Sequence, residues 1–200
     1  MEKIAPLLKQ IPVVLASGSP RRIRILKSFG IEPIVIKPTC NEDLSTNLLP
    51  KQEVLSLAVR KNLDVCARID DYPQVSSLDD YLVISSDTIV AFGDLVLEKP
   101  VDEDDAKRML TMLSGKEHTV YTGCCIYHKK SNSRFAFYDQ TDVLFKPFGK
   151  DVIDAYVATG IPMDKAGAYG IQDGFKDQVE RLNGSEDTVI GFPLNELLKR

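Results

Sequence analysis

The 200-residue chain has no tryptophan, only two histidines and only four cysteines. Cys40, Cys66, Cys124 and Cys125 form no C-x-x-C pair, and neither His118 nor His128 stands at a matching distance, which excludes the common zinc patterns. The cysteines read as free, buried thiols of a reducing compartment. No apolar run approaches the roughly 20 residues that a membrane-spanning helix needs. The opening stretch is broken by Pro6, Lys9, Gln10 and Pro12, so it lacks the continuous apolar core of a secretory signal. The expectation is a soluble, cytoplasmic chain with no membrane partner. Positive charge is not in excess: 25 Lys and Arg against 29 Asp and Glu leave a formal net charge of −4. That balance argues against nucleic acid as a partner. It leaves room for one small anion held by a local basic cluster. Internal repeats and long linkers are also missing, so residues 1–200 read as a single domain.

Hydrophobic patterning fills in the fold. Val13 to Ala16 reads as a buried strand that runs into Ser17-Gly18-Ser19-Pro20. Ser19 suits a helix N-cap and Pro20 the first helical position. Ile23, Leu26 and Phe29 then keep helical spacing as far as Gly30. Ile31 to Ile36 predicts a second strand, followed by a polar loop from Thr39 to Pro50. Residues 51–69 read as a helix whose apolar stripe is Val54, Ala58, Val65 and Ile69, and Lys61 falls on that stripe. Tyr81 to Ile84 predicts a buried strand that runs into Ser85-Ser86-Asp87-Thr88 and then Ile89-Val90, with a hairpin turn at residues 92–95. Asp102 suits the cap of a helix with Ala106, Met109, Leu110 and Leu113 on its core face. Strands over 117–127 and 134–145, a helix over 150–158, a segment with Gly167, Gly170 and Gly174, and a short helix opened by Pro193 complete the chain. The mixture predicts an α/β or α+β fold with an extended mixed sheet flanked by helices.

Three groups of residues suit chemistry. Ser17-Gly18-Ser19-Pro20-Arg21-Arg22 places hydroxyls and guanidinium forks at a helix start, where N–H groups and the dipole favour an anion. The same residues also suit an ordinary capped helix with exposed arginines. Asp87 follows four apolar residues, and a carboxylate there must be paired, protonated or metal-bound. A structural aspartate at a strand end is the alternative. A dehalogenase-type phosphatase would need D-x-D, and Ser85 stands where its nucleophile belongs, so that signature fails. Lys61 on an apolar face either serves the site or snorkels to solvent. His118, without a matched partner pattern, reads as structural, and Leu113-Ser114-Gly115-Lys116 lacks the upstream glycine of a Walker loop.

Together these residues resemble the Maf family over about 13–198. The family's A-S-x-S-P-R-R stands as Ala16-Ser17-Gly18-Ser19-Pro20-Arg21-Arg22. Its A-D-T stands as Ser86-Asp87-Thr88, and its G-K-P as Glu98-Lys99-Pro100. L-S-G-x-x-H-x-V-x-T-G runs from Leu113 to Gly123, D-K-A-G-A-Y-G-I-Q from Asp164 to Gln172, and G-x-P-L is Gly191-Phe192-Pro193-Leu194. The resemblance implies hydrolysis of a nucleoside triphosphate to the monophosphate and pyrophosphate, serving a house-cleaning role. It implies a divalent cation, Mg or Mn, and two lobes around a cleft in a fold related to inosine-triphosphate pyrophosphatases. It assigns Asp87 as the proton acceptor, with Asp87 and Glu42 on the metal side. Ser17, Ser19, Arg21, Arg22, Lys61, Thr88, Lys99 and Gln172 are the expected substrate contacts. Arg21, Thr88 and Gln172 match the members acting on dTTP and UTP, whereas members preferring 7-methylguanosine triphosphate differ there. A homodimer is the expected assembly. The rival expectation is a non-catalytic nucleotide sensor or cell-division module, which needs no base at Asp87.

Overall fold

The computed structural model describes residues 4–45 and 48–200, so two residues of the predicted polar loop, 46 and 47, lie outside it. The helices are α1 (Ile4–Leu7), α2 (Pro20–Ser28), α3 (Pro50–Ala67), α4 (Pro73–Ser76), α5 (Glu103–Leu113), α6 (Lys150–Val157), α7 (Glu186–Ile190) and α8 (Leu194–Leu197). The strands are β1 (Val13–Ala16), β2 (Ile34–Val35), β3 (Leu82–Phe92), β4 (Leu95–Leu97), β5 (Glu117–His128), β6 (Ser133–Phe145) and β7 (Val179–Asn183). They form one sheet in the order β2-β1-β3-β5-β6-β7, with β4 paired to β3. β1 is parallel to β2 and β3, while β3/β4 and β6/β7 are antiparallel. This is the expected mixed sheet flanked by helices. Among the described residues no helix is long and apolar enough to cross a membrane.

The predicted strand over 31–36 shrinks to two residues. Pro33 has no N–H to give to a ladder, and pairing with β1 starts only at Ile34, opposite Val14. The larger correction concerns Asp87. It does not end a strand; β3 continues through it to Phe92. The polar residues before it are satisfied without breaking the ladder. Ser85 Oγ donates to the Ala58 carbonyl at 2.6 Å, and Ser86 Oγ donates to the carbonyls of Gly123 at 2.8 Å and Gly191 at 3.1 Å. β7 and the short helices α1, α4 and α7 have no counterpart in the patterning, being too short or too polar to show a period.

The chain divides into two compact units. One comprises residues 1–87, 122–139 and 191–200, and the other residues 88–121 and 140–190. In the first, Val14, Ala16, Ile36, Val65, Val75 and Val83 form a buried cluster. Each large aliphatic side chain removed from water contributes about 1.5–3 kcal/mol. α3 lies close on this part of the sheet because Gly123 has no side chain: a Cβ there would come 2.4 Å from the Val54 carbonyl oxygen. All four cysteines are free, as expected, but only Cys124 and Cys125 are fully buried. Burial raises both thiols, that of Cys125 to about 12, which keeps them protonated and inert.

The second unit packs α5 and α6 around an aromatic core. The predicted face Ala106, Met109, Leu110 and Leu113 is buried, and Asp102 caps α5 by accepting from the Asp105 N–H at 2.8 Å. Phe145 meets Phe148, Tyr169 and Phe175 edge-on. His118 is structural, as expected. Its Nε2 lies 2.7 Å from the Tyr169 hydroxyl, and its ring sits 4.9 Å from that of Phe145.

Burial lowers the His118 imidazole from 6.5 to about 4, so the folded chain holds the neutral ring. The stability this contributes is complete above the unfolded value and is lost as pH falls through about 4, reaching roughly 3 kcal/mol. The urea-unfolding free energy is expected to decline from pH 6.5 to 4, with a flatter decline in His118→Gln. An identical decline in the variant would assign it to other groups.

Candidate active site

The site grows from the register of two parallel strands. Ala16 at the end of β1 pairs with Ser85 of β3, so the turn Ser17-Gly18-Ser19 leaves the sheet level with Ser86 and Asp87. Ligand sites in open α/β sheets form at such carboxyl ends of strands. α2 begins directly after this turn, at Pro20. Ser19 is extended at the N-cap, makes no side-chain cap bond, and is followed by a first turn without an acidic residue. No acidic residue of its own first turn offsets the positive end of this helix.

Within the turn, Ser17 Oγ accepts from the Ser19 N–H at 3.2 Å and from Arg22 Nη1 at 3.0 Å. Arg22 Nε donates to the Gly191 carbonyl at 2.7 Å. Arg22 is buried and braces the turn rather than standing in solvent. Burial lowers its guanidinium from the ordinary value, and the nearby charges of Asp87 and Glu42 partly oppose that. Arg21 and Ser19 are half-buried beside it.

α3 delivers the centre of the cluster. Val54, Ala58 and Val65 face the sheet, and Lys61 shares their side of the helix. Lys61 Nζ donates to Asp87 Oδ1 at 2.5 Å and to Glu42 Oε2 at 2.8 Å. The side chains of Lys61 and Asp87 are 6% and 12% exposed, whereas that of Glu42 is 49% exposed. One carboxylate is thus dry and the other reaches in from solvent. The next residue, Asn62, donates to the carbonyls of Val83 at 2.9 Å and Cys125 at 3.2 Å, tying the helix to the strands beside Lys61.

The structure therefore brings together Ser17, Ser19, Arg21, Arg22, Glu42, Lys61 and Asp87 in one unit. Thr88, Lys99 and Gln172 belong to the other. Thr88 is half-buried in β3, and Lys99 is exposed just after β4. Gln172 is exposed in the tight turn Ile171–Phe175 and lines a depression of about 420 Å³ with Lys176, Asp177 and Glu186. A buried lysine meets that segment: Lys165 Nζ lies 3.4 Å from Asp173 Oδ2, and it also donates to Asp164 Oδ1 at 2.6 Å and to the Ile161 carbonyl at 2.7 Å. Gly170 makes room for it, since a Cβ there would lie 2.6 Å from Lys165 Cε. Ser86 is a further brace of the site that periodicity does not reveal, and its departure from the family's alanine is the one signal of it in the sequence.

Among the described residues no group of three or more His, Cys, Asp or Glu gathers around a point. Two carboxylates on one ammonium are hard oxygen donors. One or two such ligands, completed by water and phosphate oxygens, is the set that suits magnesium. The pair fits a cation shared with a phosphorylated ligand, not a closed protein cage. Chemically, the cluster sets a helix start suited to an anion beside a carboxylate able to take a proton.

The chain matches the family described as Maf-like protein over residues 12–200, and it belongs to that family. A dTTP/UTP pyrophosphatase of Agathobacter rectalis is 38% identical over 192 residues, covering 92% of this chain and 93% of the relative. One from Geobacter sulfurreducens is 40% identical over 187 residues, covering 94% and 93%. A human protein, named probable bifunctional dTTP/UTP pyrophosphatase/methyltransferase protein, is 41% identical over 196 residues, and the match spans 31% of its length. The solved structure of the Staphylococcus aureus Ham1 protein aligns with a TM-score of 0.40 at 14% identity, covering 94% of this chain and 96% of that one.

Removing one partner of a buried ion pair typically costs about 3–5 kcal/mol, because the other charge is left alone. Lys61→Met is expected to lose about 3 kcal/mol in urea unfolding, and Lys61→Met/Asp87→Asn should recover part of it. No recovery in the double variant would locate the cost outside the pair.

Proposed function

We propose that the chain hydrolyses dTTP and UTP to the nucleoside monophosphate and pyrophosphate. The observation that carries this is the Lys61-bridged pair Asp87 and Glu42, level with an uncapped, arginine-bearing helix start. Family membership and the names of the Agathobacter and Geobacter relatives support the bond and the bases.

In this reading the triphosphate lies at the start of α2, where Ser19 and Arg21 meet its oxygens. Lys61 holds Asp87 by Oδ1 and fixes its orientation. Oδ2 of Asp87 takes a proton from water as the water oxygen attacks the α-phosphorus. The bond from that phosphorus to the bridging oxygen breaks, and pyrophosphate leaves. General-base help of this kind is worth about 100- to 10,000-fold, and positioning with charge neutralisation provides the rest. Glu42 and Asp87 would hold magnesium or manganese, which when bound neutralises charge on phosphate oxygens. Arg22 acts through Ser17 by shaping the turn. Thr88, Lys99 and Gln172 are assigned to the nucleotide on the family resemblance, with Gln172 able both to donate to and accept from the O4/N3 edge of the base. A cytoplasmic homodimer is the expected form.

Asp87→Asn is expected to keep its fold by circular dichroism and to lose at least about 100-fold in pyrophosphate release. Turnover at the wild-type rate would remove Asp87 from the mechanism. Identifying the product across a nucleotide panel separates this reading from a phosphatase, which releases orthophosphate, and from a sensor, which releases nothing. Gln172→Glu should reduce kcat/KM for UTP more than for purine triphosphates; an equal loss for all would end its role in reading the base.

A further inference from the structure

Glu42 comes from a segment without helix or strand, yet its carboxylate meets Lys61 at 2.8 Å. Something must hold that segment in register. The outer side of α3 carries Arg60 and Asp64, and Arg68 caps its C-terminus, so the three stand at intervals of four residues. Arg68 Nη2 donates to the Lys37 carbonyl at 3.0 Å. Asp64 accepts from the Thr39 N–H at 2.9 Å and from Thr39 Oγ1 at 3.0 Å. Arg60 donates from Nη1 to the Asn41 carbonyl at 3.1 Å and from Nη2 to the Asp43 carbonyl at 3.0 Å. Helix positions 60, 64 and 68 thus read backbone positions 43/41, 39 and 37, running antiparallel.

The two periods agree. Four helical residues rise about 6 Å, and two residues of open chain reach at most about 7 Å. The Arg60 fork straddles Glu42 by gripping the carbonyl on either side of it, while the adjacent Lys61 takes its carboxylate. The row is braced from both ends. Arg68 Nη2 lies 2.6 Å from Asp64 Oδ2, and Arg60 Nη2 lies 3.4 Å from the buried carboxylate of Glu53. Asn41 and Asp43 close the turn around Glu42, with the Asp43 N–H donating to Asn41 Oδ1 at 2.7 Å. A slip of two residues would carry Glu42 about 7 Å from Lys61.

We propose that Arg60, Asp64 and Arg68 are positioning residues, a polar zipper along α3 that sets the register of residues 37–43 and so places the Glu42 carboxylate on Lys61. The proposal rests on the reading of Glu42 as a site carboxylate. The side chains of this row are half-buried, and Arg60 also faces the buried Glu53 carboxylate, so its loss costs some stability as well as placement.

Arg60→Gln removes the fork. Amide exchange over residues 39–45 should then rise at least tenfold, more than in the rest of the chain, and kcat/KM for UTP should fall about tenfold under conditions where urea unfolding shows the variant still folded. Arg60→Lys should restore only part of the rate, because an ammonium lacks the planar fork that spans two carbonyls. Arg68→Gln, farther from Glu42, should cost less than Arg60→Gln. In a Glu42→Gln background, Arg60→Gln should have no further kinetic effect. Unchanged exchange at 39–45, or losses that multiply in the double variant, would overturn the zipper. A wild-type protein that releases no pyrophosphate would end the proposed activity alone, and the exchange measurement would still decide the positioning.

Discussion

One ammonium group organises the site. Lys61 bridges a nearly dry Asp87 and a half-exposed Glu42. A lone carboxylate in the middle of β3 would carry a desolvation cost of several kcal/mol. The lysine offsets that cost and fixes the direction in which the carboxylate points. A carboxylate so held is pre-organised, which is worth more to catalysis than one that must be ordered during reaction. The requirement it imposes is that α3 approach the sheet closely enough for a lysine to reach from one to the other.

That approach is built from polar contacts as much as from apolar ones. Gly123 lets the α3 backbone come near, Ser85 ties to the Ala58 carbonyl, and Asn62 ties to Val83 and Cys125. Ser86 and Arg22 converge on the Gly191 carbonyl, which ties the returning C-terminal segment to the turn at Ser17–Ser19. Buried polar groups are tolerated only when satisfied, and each of these has a partner. Loss of any one would leave a donor or acceptor unmet near Asp87, so the neighbourhood of this carboxylate is specified by hydrogen bonds rather than by shape alone.

The same logic separates two kinds of arginine. Arg22 stands in a motif that suits phosphate, yet its fork is spent on Ser17 and Gly191. Arg60 stands in no motif, yet its fork grips the backbone on both sides of Glu42. Guanidinium geometry serves both uses, since a planar fork matches two carbonyls as well as two phosphate oxygens. Which use prevails depends on what tertiary structure places opposite the fork.

The sequence by itself determined the local elements. The α2 start at Ser19 and Pro20, the α5 face with its Asp102 cap, and Lys61 on an apolar stripe all follow from period and capping chemistry. It also carried the family blocks, and with them the family to which the chain belongs. Tertiary structure alone decided that β3 continues through Asp87, because the partners that satisfy Ser85 and Ser86 are carbonyls 27 to 105 residues away. It alone decided that Lys61 pairs with Asp87 instead of snorkelling, since those residues are 26 apart and meet only across a helix–sheet contact. Periodicity reports which face of an element is buried. It carries no information about which distant residue meets that face, and a paired charge is a fact about two such residues at once.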